Sequence, residues 1–367
     1  MKKIKLGDVC KINAETYSDS NSCDFVNYLD TSNITANHIE NIQHIDITQE
    51  KLPSRARRKV KFNSIIYSTV RPNQRHYGII KSQPENFLVS TGFAVIDVDP
   101  KKIDANFLYY QLSRDEIVNN LQSIAEQSTT AYPSIKPSDL SNLKFYVPSL
   151  DTQRKIGNFL YALDDKIALN KKINATLESM AKTLYMHEFF RKLPNGKLND
   201  IIIENSKSII PVGAAKSTGG KFPFFTSGDS VLSWTDSLVD GRNIFLNDGG
   251  NAGVKFYVGK AAYSTHTYNI SAKENLADYI HLLLKVIEPE LDKRFFTGTG
   301  LKNLRKDLLK EREIYIPTKT EREQFNAIVQ PCFTKISANF RESRRLAEMR
   351  DWLLPMLMNG QIQFKET

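Results

Sequence analysis

Cysteine is scarce: only Cys10, Cys23 and Cys332 occur in 367 residues, with no Cys-x-x-Cys and no histidine at zinc-ligand spacing. Neither a disulfide framework nor a zinc site is supported, and a reduced, cytoplasmic setting is the simplest reading. Long apolar runs are missing too. No uninterrupted stretch reaches membrane-spanning length, and the basic start Met1-Lys2-Lys3-Ile4-Lys5 is not followed by the apolar segment of a secretion signal, so the expectation is a soluble protein that is not exported. Acidic residues are outnumbered, 41 Asp and Glu against 50 Lys and Arg, for a net charge of +9. That balance suits a polyanionic partner, although a solvated basic surface satisfies it equally. Disorder is not the expectation, because 41% of residues are hydrophobic, enough for folded cores in two or three domains.

What is present is a duplication. Pro133-Ser-Ile-Lys-Pro-Ser-Asp-Leu-Ser-Asn-Leu-Lys-Phe-Tyr-Val-Pro148 is echoed by Lys302-Asn-Leu-Arg-Lys-Asp-Leu-Leu-Lys-Glu-Arg-Glu-Ile-Tyr-Ile-Pro317, and the offset, Pro317 against Pro148, is 169 residues. Both copies run on into a long helical pattern. One unit, a globular body followed by a long helix, occurs in tandem, and two similar surfaces at a fixed separation suit a two-part target.

Residues 1–148 alternate β-rich runs (Ser64–Val70, Tyr77–Lys81, Phe87–Val98) with one amphipathic helix around Asn106–Leu121, a mixed α/β body. From 151 to about 191 the only glycine is Gly157, and Ile156, Leu160, Leu163, Ile167, Leu177 and Leu184 recur at spacings of three, four and seven, the pattern of a long helix with a coiled-coil seam. Leu193-Pro194-Asn195-Gly196 ends it, as proline and glycine beyond a helix do. A second body follows, with β-runs at Asn243–Leu246, Val254–Val258 and Ala261–Ser264 and a helical run at Asp278–Val286, then a second long helix from about Thr320 to Met358. The same offset places Ile156 on Phe325, Leu163 on Cys332, Ile167 on Ile336, Leu177 on Leu346, Met180 on Met349, Leu184 on Leu353 and Asn170 on Asn339. A buried seam asparagine fixes register, so Asn170 is expected to pair with Asn339; a solvated asparagine on an imperfect stripe is the other reading. Helices of about 38 residues are about 57 Å long at 1.5 Å per residue.

Several short stretches then carry a family likeness: Leu6-Gly7-Asp8-Val9, Ser68-Thr-Val-Arg-Pro-Asn73 and Ser90-Thr-Gly-Phe-Ala-Val95 in the first body, Phe224-Phe-Thr-Ser-Gly228, Asp248-Gly-Gly-Asn-Ala-Gly253 and Tyr263-Ser-Thr-His-Thr-Tyr268 in the second, and the closing Leu353-Leu-Pro-Met-Leu-Met-Asn-Gly-Gln-Ile362. In this order, with the duplication, the chain resembles the specificity subunits of type I restriction and modification systems over essentially its whole length. Where such subunits usually carry Glu-Gln after each closing proline, this chain has Thr152-Gln153 and Glu321-Arg322. The resemblance implies an α+β protein: two mixed α/β target-recognition domains (residues 1–150 and 193–318) separated by two long α-helices (151–192 and 319–360) that form an antiparallel coiled coil in a pseudo-two-fold repeat, with a tail at 361–367. It further implies a double-stranded DNA partner, two docked methyltransferase subunits bringing S-adenosylmethionine and flipping an adenine, and restriction/translocase subunits. A DNA-reading subunit of a solitary or type II-like adenine methyltransferase, without a nuclease partner, is the alternative.

Reading base edges takes Arg, Lys, Asn, Ser and Thr on loops, with phosphate contacts supplying affinity. In the first body Arg55, Arg57, Arg58, Lys59 and Lys61 read as phosphate clamps beside a loop where Arg71 and Arg75 suit base contacts, Asn73 or Gln74 can pair with adenine, and His76 follows. Solvent-facing charges on a strand and its turn explain the same residues. In the second body Ser217–Lys221, Ser227, Asp248–Asn251, Lys255 and Thr265-His266-Thr267 are the candidates, with Lys302, Asn303 and Arg305; ordinary hairpin glycines and a structural histidine are the plainer accounts. Lys136 and Arg305 occupy equivalent places in the repeat and suit a shared backbone-contacting role. The helix-pairing seam is expected at Ile156, Leu163, Ile167, Asn170, Leu177, Leu184, Phe325, Ile336, Asn339, Leu346 and Leu353.

Catalysis in this chain is not expected. Phe296-Thr-Gly-Thr-Gly300 matches the Phe-x-Gly-x-Gly of S-adenosylmethionine-binding proteins but follows a charged helical segment, and no Pro-Pro exists to complete an adenine-methyltransferase motif. Gly219-Gly220-Lys221-Phe222 lacks the first glycine and the metal-binding hydroxyl of a phosphate loop, and Asp99-Pro100-Lys101 has no upstream Pro-Asp for a nuclease metal site. No cofactor and no metal are assigned to this chain.

Overall fold

The computed structural model describes residues 1–18, 23–127, 132–298 and 302–364. It divides into two compact units, one of Met1–Lys166 together with the chain from Leu346 onward, the other of Ile167–Arg345.

The first unit is built on a four-stranded antiparallel sheet in the order Cys10–Ile12, Phe93–Val98, Ile65–Ser68, Tyr77–Ile79. Side chains alternate faces along a strand. Ala94, Ile96, Ile65 and Tyr67 therefore pack toward the helices, while Phe93, Val95 and Ile66 pack toward a second sheet. That second sheet runs Gln43–Asp46, Phe25–Leu29, Phe87–Ser90, Ala56–Lys59, with one parallel junction between Phe25–Leu29 and Phe87–Ser90. Burial on both faces is why Phe87–Ser90 and Phe93–Val98 are both rich in apolar residues and read as one β-rich run, although a turn at Thr91-Gly92 divides it into two strands. The single helix expected around 106–121 is two helices, Ala105–Ser113 and Asp115–Glu126, because Arg114 between them is extended at φ −62°, ψ 140°. The Asp104 carboxylate caps the first by accepting from the Phe107 N–H at 2.9 Å. The second opens on Asp115 and Glu116, which suits the positive end of the helix dipole.

The second unit repeats the plan. Its antiparallel sheet has the same order, Ile202–Glu204, Thr267–Ala272, Arg242–Asn247, Val254–Val258. Ile244 and Leu246 face the helices, and Phe245 faces Phe225, Tyr257 and Tyr263. A three-stranded sheet, Leu232–Trp234, Phe222–Phe225, Ala262–Tyr263, again holds one parallel junction. Among the described residues it has no counterpart to the basic strand Ala56–Lys59. Helix Ala277–Val286 covers the sheet. Arg242 ties the sheet to that helix and to the second long helix, donating to Asp278 Oδ1 at 2.5 Å, Thr334 Oγ1 at 2.7 Å and the Gln330 carbonyl at 3.1 Å.

The two long helices run Leu150–Glu188 and Lys319–Met358, and they pack antiparallel. In the second unit Asn170 bonds Glu342 and Ser343, and Asn174 meets Asn339 and the Ile336 carbonyl, so residue numbers rise along one helix as they fall along the other. Of the expected seam, Ile156, Asn170, Phe325 and Asn339 are buried. Leu163, Ile167, Leu177, Leu184, Ile336, Leu346 and Leu353 are half-buried, as a two-helix seam leaves its flanks in water. The expected Asn170–Asn339 pair does not form. Asn170 Nδ2 donates to Glu342 Oε2 at 2.8 Å and Ser343 Oγ at 3.3 Å, while Asn339 Nδ2 donates to Asn174 Oδ1 at 2.8 Å. Ser343 and Asn174 are themselves equivalent in the repeat. The bonding is thus reciprocal, each asparagine reaching the residue four beyond its equivalent.

Candidate nucleic-acid interface

In the first body three loops meet at one end of the sheets. The hairpin after Ile65–Ser68 is held to the turn Thr91-Gly92 by Thr69 N–H and Oγ1, both donating to the Gly92 carbonyl at 2.8 and 2.9 Å. It is held to the third loop by Arg71 N–H donating to the Pro133 carbonyl at 3.0 Å, by Ile135 N–H donating to the Thr69 carbonyl at 2.8 Å, and by a Val70–Ser134 bridge. The second body repeats each of the backbone bonds. Asp248 N–H donates to the His266 carbonyl at 2.9 Å, Gly250 N–H to the Lys302 carbonyl at 2.9 Å and Leu304 N–H to the Asp248 carbonyl at 3.1 Å, beside a Gly249–Asn303 bridge. Pro133, Ser134 and Ile135 lie 169 residues before Lys302, Asn303 and Leu304. The duplication therefore extends to the hydrogen bonds that shape the loops.

The loop chemistry differs between the copies. In the first body Arg71 and Arg75 flank the short 3-10 turn Pro72–Gln74, and both sit in left-handed backbone, at φ 46° and 56°, a conformation that costs energy for a side chain bearing Cβ. Arg71, Asn73 and Gln74 are exposed on the rim. Arg75 is half-buried. Its guanidinium donates to Asp115 Oδ1 at 2.5 Å and Tyr77 OH at 3.4 Å, and the Asp115 carboxylate holds it above the ordinary arginine value. His76 Nδ1 lies 2.6 Å from the Ile34 carbonyl, which positions the ring against the neighbouring loop. Arg55 joins the rim, its carbonyl accepting from Thr91 N–H at 2.8 Å. The rest of the basic run leads away from it, because Ala56 pairs with Ser90 but Lys59 with Leu88. Arg57 lies over the Tyr17 ring, Arg58 donates to Thr16 Oγ1 at 3.3 Å, and Lys61 pairs with Asp97 at 3.4 Å.

In the second body Asn251, His266 and Asn303 are exposed, with Thr265, Lys302 and Ser227 half-exposed; Ser227 donates to the His266 carbonyl. Thr267, expected on the same surface, is buried, and its hydroxyl bonds the Phe225 carbonyl and Ser264. Lys255 Nζ donates to the Thr226 and Gly228 carbonyls at 2.7 Å each and to Asn247 Oδ1 at 3.2 Å; burial lowers its pKa, and it serves to hold the loop. Lys221 stands at the opposite end of strand Phe222–Phe225 from Ser227. Lys136 and Arg305 are both exposed and both begin short helices, Pro137–Ser141 and Lys306–Lys310, so their equivalence holds in three dimensions. Tyr132 was not among the expected contacts, yet it is 63% exposed with Arg71 above its ring at 5.4 Å. The repeat could have found it: once Lys302 and Asn303 are candidates, Pro133, Ser134 and their neighbour are too.

Among the described residues no group of three His, Cys, Asp or Glu is placed to hold a metal ion, and no helix is long and apolar enough to cross a membrane. Of the Phe-x-Gly-x-Gly match, Phe296–Thr297 is a short strand that follows helix Glu288–Arg294, while Thr299 and Gly300 lie outside the described residues.

The family model for the type I restriction modification DNA specificity domain matches residues 1–179 and again 194–342. The chain belongs to that family. Among curated relatives, the type I restriction enzyme HindI specificity subunit of Haemophilus influenzae is 25% identical, over 98% of this chain and 99% of its own length. The MjaIX specificity subunit of Methanocaldococcus jannaschii is 24% identical over 71% of this chain and 70% of its own. The crystal structure of a type I restriction-modification S subunit from M. genitalium shares the fold, with a TM-score of 0.63 at 16% identity, covering 100% of this chain and 96% of that one. The chain is thus a two-copy DNA sequence-specificity subunit of a type I restriction-modification system.

Proposed function

We propose that the chain is the non-catalytic reader and scaffold of its complex, working in the cytoplasm. Each body contacts one half of a bipartite duplex target through its three-loop rim, and the long helices dock two methyltransferase subunits. Those subunits carry S-adenosylmethionine and methylate adenine, and restriction/translocase subunits join through them. The observation that carries this reading is the repeated bonding of the rims, which present Arg71, Asn73 and Gln74 on one body and Asn251, His266 and Asn303 on the other. One scaffold with exchangeable side chains is what two unlike half-sites require. Docking on the helices is supported by apolar side chains left in water on both, Met180 and Met349 among them at equivalent places. In the second unit Met180 and Ile328, each 56% exposed, border a mostly apolar cavity of about 500 Å³ with Leu184 and Cys332; in the first, Met349 and Trp352 are exposed.

Mapping methylated adenines in DNA modified by the chain with its methyltransferase partner tests the reading. A bipartite sequence is expected, with Arg71→Ala altering one half and Asn251→Ala with His266→Ala the other. A contiguous site, or both halves changing together, refutes it.

A further inference from the structure

We infer that the first body reads a guanine, with Arg71 as the contacting group and Tyr132 as the residue that positions it; this rests on the DNA-specificity reading and names the base and the device. Arg71 is a non-glycine residue in left-handed backbone immediately before a proline, where sterics push a residue toward extended conformations. Such a conformation persists only where its surroundings fix it, and the fixing bonds come from Tyr132's own loop: Arg71 N–H to the Pro133 carbonyl, and the Val70–Ser134 bridge. The loop that presents the ring is the loop that holds the strained arginine. The guanidinium then lies 5.4 Å from the Tyr132 ring centroid. A cation held over an aromatic face is confined in position while its outer edge stays open.

Such confinement is wasted on a phosphate, which accepts donors from many directions. It matters for a coplanar pair of acceptors. Guanine presents O6 and N7 side by side in the major groove; adenine sets a donor beside N7, cytosine offers a donor, and thymine offers one acceptor next to a methyl group. Arginine carries donors only, so the forked edge of Arg71 matches guanine alone. Tyr132 reduces the motion that Arg71 would otherwise lose on binding, which is how pre-organisation raises affinity.

Full-length chain is used to select sites from a pool of randomised duplexes, as wild type and as Arg71→Ala, Tyr132→Ala and Tyr132→Phe. Arg71→Ala is expected to lower preference at one guanine by about 5- to 100-fold. Tyr132→Ala should lower it at that same guanine by about 2- to 5-fold, with the other half-site unchanged, and Tyr132→Phe should keep it. Replacing that guanine with 7-deazaguanine, which lacks the N7 acceptor, should weaken the wild type and leave Arg71→Ala no weaker. An Arg71-sensitive position that is not guanine, or a Tyr132→Ala profile identical to wild type, overturns the inference while the specificity reading stands. Failure of the wild-type chain to enrich any two-part sequence overturns that reading itself.

Discussion

Removing the Asp164 carboxylate should loosen the first body from the long helices. Asp164, on the first long helix, accepts from Tyr110 OH at 2.6 Å and from the Arg350 guanidinium of the second long helix. Burial works against the Arg350 charge, and Asp164 more than offsets it, so the guanidinium is held above its ordinary value. Tyr110 is 2% exposed, and the Asp164 and Arg350 side chains are 20% and 29% exposed. Truncating one partner of a buried pair costs about 3–5 kcal/mol, largely because the other is left uncompensated. Arg350 keeps Asp351 at 2.8 Å, and a neighbouring cavity of about 630 Å³ lets water reach the cluster. Both reduce the cost of Asp164→Ala to about 2–3 kcal/mol. For a unit of this size that is a fall in Tm of about 5–10 °C. Asp164→Asn keeps an acceptor for Tyr110 and loses only the charge, so about half the shift is expected. Calorimetry resolving the two units would show the change in the first alone. A shift below about 1 °C for Asp164→Ala would mean that the cluster is solvated in solution and does not dock the body.

Lys136→Ala and Arg305→Ala should each weaken binding to all duplexes alike and lower the slope of log affinity against log salt by about one, measured by salt titration; a change confined to one sequence would place these side chains at bases. In the second unit burial raises the Asp278 carboxyl to about 6 despite Arg242 and lowers the His281 imidazole to about 3. A folded carboxyl value above the unfolded one gives stability that is present at low pH and lost as pH rises from about 4 to 6, whereas a depressed histidine gives stability lost as pH falls below about 6.5. The two nearly cancel between pH 6 and 4, each being worth about 3 kcal/mol. Asp278→Asn should therefore expose an acid-labile unit, and His281→Phe the reverse slope, in urea melts across that range; parallel slopes for wild type and both variants would refute the assignment. Met180→Asp with Ile328→Asp should reduce co-purification with a methyltransferase subunit without altering DNA selection by the chain alone, and unchanged co-purification would move the docking site elsewhere.

The helices were legible because a seam imposes a period, and period survives in sequence. Leu150–Glu188 and Lys319–Met358 follow the spacing of Ile156, Leu163 and Ile167 and their repeats almost residue for residue. Register across the pair was not legible. Whether Asn170 meets Asn339 or Ser343 depends on how one helix is shifted along the other, which no single helix records. Breaks were also hidden. Arg114 interrupts an amphipathic pattern that runs on through it, and Thr91-Gly92 divides what reads as one β-rich run, Phe87–Val98, into two strands. For the site, sequence found the loops and misjudged reach: Arg55 to Lys61 is one basic stretch on paper, but an extended strand advances about 3.3 Å per residue. Lys61 is thereby carried to Asp97, at the far end of Phe93–Val98 from the rim.

The two rims of this chain differ in their side chains more than in their backbone bonds. The rim bonds that match between the bodies are nearly all backbone bonds, Thr69 with Gly92 and Asp248 with His266, Arg71 with Pro133 and Gly250 with Lys302. Backbone bonds are indifferent to the side chains they carry, so the loops keep their shape while arginine stands at one position and glycine at its counterpart. The strain differs accordingly: Gly250 takes φ 85° at little cost, whereas Arg71 takes φ 46° against its Cβ. An unfavourable backbone at one of two otherwise equivalent positions has to be compensated by something the other copy lacks. In the first body the contact without a counterpart at Gly250 is Arg71 over the Tyr132 ring; on the proposal made above, that pair of side chains chooses the base while the fold sets the shape of the rim.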